Sequence, residues 1–122
     1  LLFVRYMKNP EIIKERYMKD SLNVRLGGIA ANLARVASFL ENKSNVKVIE
    51  PILDESKYFI EWTALHAPFK TQALLSEIQP ILALWQRVIS KNLYHKNIDN
   101  IKKKAELWSK EILLLSGLLD MN

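Results

Sequence analysis

The sequence predicts an all-α fold: an antiparallel, up-down-up-down four-helix bundle with an additional N-terminal helix. Apolar residues recur at three- and four-residue intervals in successive segments, the period of one helix face. Only 3 glycines and 4 prolines punctuate 122 residues, too few turn signals for a sandwich or a barrel. The polar links between the last four segments are short, which sets successive helices antiparallel.

Asn9-Pro10-Glu11 reads as a helix start: a capping side chain, a proline where no amide partner is needed, then an acid in the first turn. A first helix is expected from Pro10 to about Lys19, with a boundary near Asp20 and a cap from Asp20 or Ser21. The second helix runs to about Glu41. It carries a large-residue stripe (Leu26, Ile29, Leu33, Val36, Leu40) beside a small-residue stripe (Gly27, Ala30, Ala34, Ala37). One neighbour can interdigitate with the first stripe while another approaches closely over the second, so this helix is expected at the centre. Gly27-Gly28 has neither a dinucleotide-binding nor a phosphate-loop context, and close helix packing is its expected role.

Asn42-Lys43-Ser44-Asn45 is a polar turn. A third helix follows from about Val46 to Thr63, with Ile49, Ile52, Leu53, Ser56, Phe59 and Ile60 inward and Pro51 near its start. After the loop from Leu65 to Lys70, Thr71 is expected to cap a fourth helix reaching about Leu93. That helix contains Pro80, yet the stripe Leu75, Ile78, Leu82, Trp85, Ile89 keeps its phase across it, so one kinked helix is expected rather than two. Asn97 or Asp99 caps a fifth helix with the stripe Ile98, Ile101, Ala105, Trp108, Ile112, Leu115, Leu119.

The chain is 49% hydrophobic and 25% charged, which fits one globular domain over residues 1–122 with residues 1–9 as an N-terminal arm. The absence of cysteine excludes disulfides, thiolate zinc sites and cysteine nucleophiles, and fits a reducing cytoplasm. No apolar run is long enough to span a membrane. Leu1 to Met7 is too short for a secretory signal, and a first residue other than methionine is read as trimming or continuation upstream.

No catalytic or metal motif emerges, and no cofactor is expected. His66 has no carboxylate at helical spacing, and His95 has only Asp99, across the link into the fifth helix, so no metal-ligand set is expected. Arg87 and His95 stand too far apart in sequence for the arginine–histidine motif of small helical HEPN-type ribonucleases. Asp54 and Glu61 share a face with Lys57 between them, as on a salt-bridged surface.

Two features exceed simple packing. Net charge is +5, and Arg87, Lys91, Lys96, Lys102, Lys103 and Lys104 concentrate it in one segment opposed only by Asp99. Arg87, Lys91, Lys102, Lys103 and Lys104, with His95, are therefore expected at one basic end able to bind phosphate or an acidic partner. Second, Glu55, Tyr58 and Trp62 fall opposite the core stripe of the third helix, and Phe39 falls beside Arg25, Asn32 and Arg35 on the second. Tyrosine, tryptophan and arginine are residues that interfaces favour. The alternative is that Leu2, Phe3, Val4 and Tyr6 of the arm fold over one of these faces.

At Arg25-Leu-Gly-Gly-Ile-Ala-Ala-Asn-Leu-Ala-Arg, Glu55-Ser-Lys-Tyr-Phe-Ile-Glu-Trp and Leu82-Ala-Leu-Trp-Gln the chain resembles small, uncharacterised helical proteins of cyanobacterial type. The resemblance implies a soluble cytoplasmic all-α protein and transfers no catalytic residue.

The leading expectation is a non-enzymatic bundle that binds another protein or a second copy of itself through Arg25, Asn32, Arg35 and Phe39, or through Glu55, Tyr58 and Trp62. The second is an anion-binding module for nucleic acid or an acidic partner, built on the basic end. The third is a small-ligand pocket or enzyme lined by Arg25, Asn32 and Arg35.

Overall fold

The computed structural model describes residues 7–42 and 46–120. Five α-helices account for most of them: α1 (Pro10–Met18), α2 (Leu22–Leu40), α3 (Val46–Thr63), α4 (Phe69–Ser90) and α5 (Ile98–Ser116). Short 3-10 turns follow α3 at Ala64–His66 and α5 at Leu118–Asp120. No strand occurs among the described residues. No helix there is long and apolar enough to cross a membrane. The fold is the all-α bundle with an added N-terminal helix that the periodicity predicts.

The helix ends differ from the sequence reading where the backbone supplies the stop. Asn9 does not cap α1 with its side chain. It sits in the left-handed region at φ 54°, and its carbonyl accepts from the Ile12 and Ile13 amides. Ser21 does cap α2, its hydroxyl accepting from the Val24 amide at 3.3 Å. Thr71 is no cap. Extended Pro68 opens α4 instead, its carbonyl accepting from the Gln72 amide, and Thr71 is buried in the first turn. α4 is continuous across Pro80 and ends before Leu93, because Asn92 turns left-handed at φ 58°. Gly117, at φ 77°, ends α5 after Ser116, so Leu119 leaves the stripe and is 58% exposed. The expected turn residues Lys43, Ser44 and Asn45 lie outside the described residues, as do Leu2, Phe3, Val4 and Tyr6.

The two most extensive helix contacts are those of α2 with α5 and with α3. Its large stripe is the middle of the core: Leu26, Ile29, Leu33, Val36 and Leu40 are each at most 1% exposed. Its small stripe faces α5. There Ala30 and Ala37 are buried with Ala105, and the Ser109 hydroxyl donates to the Ala30 carbonyl at 2.7 Å. Ala34 falls outside the contact and is exposed. An ion pair from Lys102 to Glu41 at 2.6 Å ties the start of α5 to the end of α2, so the two run antiparallel.

α3 runs antiparallel to α2, with Asn32 bonded to Glu55 and Gly28 beneath Phe59. α4 runs antiparallel to α3, stitched by glutamines: Gln72 donates to the Ala64 carbonyl and Gln79 to the Lys57 carbonyl. The ring α5–α2–α3–α4 is therefore closed on three sides. On the fourth, α4 and α5 approach over only a short stretch.

The two glycines of α2 differ. A β-carbon at Gly27 would stand 2.6 Å from Leu118 Cδ1, so the missing side chain gives the C-terminal turn its seat. At Gly28 the nearest atoms, on Tyr17 and Phe59, would be 3.8 and 3.9 Å away, ordinary contact distances. Close packing therefore explains Gly27 but not Gly28. Gly28→Ala is expected to stabilise the protein by about 0.5–1 kcal/mol, through helix propensity and a less flexible unfolded chain. A urea titration showing a lower midpoint would contradict this.

Candidate functional site

The open side of the ring forms the candidate site. α4 presents Ile81, Leu84, Trp85 and Val88, spaced three, four and seven residues apart along one helix face. α5 presents Ile101 and Leu107 with Asn97, Asn100, Lys103 and Lys104. Between them lies a groove of about 580 Å³. Beneath it α4 and α5 meet through two large rings: Trp85 and Trp108 have centroids 5.5 Å apart and are both buried. Leu84 and Leu107 line the groove at 51% and 48% exposure. Such a surface favours an apolar occupant, since covering each half-exposed leucine contributes roughly 1 kcal/mol.

The basic residues predicted to act together are divided. Lys102 is held by Glu41, and its ammonium pKa is raised mainly by that hydrogen bond. Lys103 and Lys104 border the groove. Lys104 also lies over the Trp108 ring, 5.1 Å from the centroid. Arg87 and Lys91 are exposed at the end of α4 but do not line the groove. His95 is exposed, with its ring 4.2 Å from that of buried Tyr94.

The predicted partner-binding residues on α2 and α3 do not form one solvent-facing surface. Arg25 and Asn32 are buried, at 8% and 1% exposure. Asn32 donates to Glu55 at 3.1 Å, a bond across the α2–α3 interface. Arg25 Nη1 donates to the Met18 sulfur at 3.4 Å, and its Nε has no hydrogen-bond partner. Arg35 is exposed, whereas Phe39 is half-buried against the core.

Tyr58 and Trp62 are half-buried and lie 5.4 Å apart by ring centroids. They belong to an aromatic cluster in which Tyr17 of α1 stacks on Phe59 at 3.9 Å and approaches Trp62 at 6.0 Å. α1 thus covers part of the aromatic face of α3. Just before it, buried Met7 donates its amide to Asp54 at 3.3 Å.

Tyr17 is the polar pin of this junction. Its hydroxyl donates to the Arg25 carbonyl at 2.7 Å and accepts from Thr63 at 3.3 Å. Burial pushes its pKa up to about 12, against the smaller lowering effect of the Thr63 bond.

The groove residues Ile81, Leu84, Val88 and Leu107 were not among the sequence candidates. For Ile81, Leu84 and Val88 the signal is a second apolar stripe on α4, one position out of phase with Leu82, Trp85 and Ile89; Leu107, on α5, stands one position before Trp108. Elsewhere, Leu65 and Phe69 flank the α3–α4 turn at 84% and 85% exposure. Among the described residues no three histidine or carboxylate side chains are grouped to hold a metal ion. Comparison with protein families, curated proteins and solved structures finds no match.

Proposed function

We propose that this chain is a non-enzymatic protein-binding module, acting in the cytoplasm, whose α4–α5 groove receives an apolar segment of a partner. One observation carries the reading: among the described residues the bundle is open along one side, and that side is floored by Ile81, Trp85, Val88 and Ile101 and bordered by exposed leucines. Leu84 and Leu107 do not stand singly but line one continuous apolar groove, the pattern of a contact surface. Nucleic-acid binding is the weaker reading. With Lys102 engaged by Glu41, only Lys103 and Lys104 border the groove, far short of the roughly 6–10 phosphate contacts of a salt-sensitive binder.

The test is selection of displayed random peptides on the folded protein, followed by measurement against the double variant Leu84→Glu, Leu107→Glu. Both leucines are half-exposed, so the variant should fold, which circular dichroism would verify. Selected peptides are expected to lose about tenfold or more in affinity on the variant. Equal binding to both proteins, or no enrichment over a column without protein, would refute the groove as a docking site.

A further inference from the structure

Resting on that reading, we infer that the groove's occupant is an acidic amphipathic α-helix of a partner protein, laid between α4 and α5 as the fifth member of the ring. The shape argues for a helix. On α4, Ile81, Leu84, Trp85 and Val88 form the ridge pattern that helices pack into. The α5 lining from Asn97 to Leu107 rises about 15 Å, the length of roughly three helical turns. The apolar surface at Leu84 and Leu107 is half in solvent, which suits a broad helix face better than a ligand enclosed in a cavity.

Charge argues for acid. Lys103 and Lys104 border the groove, and Arg87, Lys91 and Lys96 are exposed in the same segment, which has Asp99 as its one carboxylate. A basic helix would be repelled on approach. An acidic one is drawn in, and its carboxylates meet the two lysines beside the apolar floor. Asn97 and Asn100 add amides able to bond polar groups along the occupant.

Peptides of about sixteen residues, selected on the whole chain and resynthesised with a fluorophore, test this by anisotropy and circular dichroism. The expected binders place leucine-like residues at three- and four-residue spacing and carry a net negative charge. They gain helicity when bound. They weaken about tenfold or more on Leu84→Glu, Leu107→Glu, and by a similar factor on Lys103→Glu, Lys104→Glu.

Binders that need the leucines but are neutral, basic or extended, or that ignore the lysine exchange, overturn this inference and leave the groove as a docking site. Binders that ignore the leucines overturn both. Light scattering of the peptide-free protein gives a separate readout. A wild-type dimer that the leucine variant makes monomeric assigns the groove to a second copy and rejects the acidic partner. Saturable laurate binding at the groove, with no peptide enriched, assigns it to a small amphipathic anion and likewise rejects the inference.

Discussion

Trp108→Ala is expected to lower stability by about 3–5 kcal/mol, the largest loss predicted for this molecule. Trp108 is 2% exposed and packs against Trp85 where α4 and α5 come together. Elsewhere in the ring a truncated side chain has helix neighbours on several sides, but α4 and α5 share little other contact. Removing the indole therefore takes away buried apolar area and one of the two rings joining them. The void would lie against Trp85, which lines the groove, so water can reach it. Equilibrium urea unfolding measures the loss. The emission of Trp85 is expected to shift to the red as its environment wets. Trp62→Ala supplies the contrast, because Trp62 is only half-buried and should lose clearly less. Equal losses at the two positions would mean that the α4–α5 side does not depend on Trp108.

The same pair of tryptophans shows why the fold was legible in the sequence and the site was not. Helix positions follow from local period. The α2 stripe from Leu26 to Leu40 occupies the core, and Ser21 caps where a polar residue precedes the apolar run. The phase carried across Pro80 corresponds to one continuous helix. Helix ends depend on single backbone angles, and left-handed Asn92 and Gly117 leave no periodic trace. Burial of polar residues depends on a third body. Arg25 and Asn32 lie on the polar side of α2 when it is viewed alone, but Met18 and Tyr17 of the α1 segment and Glu55 of α3 reach them there. The groove depends on how far α4 stands from α5, a distance between elements remote from the periodicity of either. The apolar residues that α4 gives it are visible as a second stripe in the sequence, but their exposure is not.

Raising the pH through the range from about 10 to about 12 is expected to cost up to roughly 2–3 kcal/mol of stability through Tyr17 alone. Its phenol, at about 12 in the folded protein, stands above its ordinary value of 10 because burial disfavours the phenolate. A group whose folded pKa is raised keeps its proton more firmly in the native state. Below pH 10 both states hold the proton and the full contribution is present. As pH rises past 10 the unfolded chain ionises first, and the contribution is lost by the time the folded phenol would titrate. The local geometry sets where the damage falls. An ionised Tyr17 can no longer donate to the Arg25 carbonyl, and it would carry charge into the stack with Phe59 beside Trp62. α1 should therefore loosen from α2 and α3 before the rest of the bundle unfolds. Lysine deprotonation acts over the same range, so the comparison must be with Tyr17→Phe, which keeps the ring and lacks the titrating hydroxyl. That variant is expected to lose roughly 0.5–1.5 kcal/mol at neutral pH with the hydroxyl's hydrogen bonds. It should fall less steeply with alkali than the parent, so that the two stability curves converge. Parallel curves, or an absorbance titration without a phenol ionising well above 10, would mean that Tyr17 is hydrated and that α1 is not pinned by it.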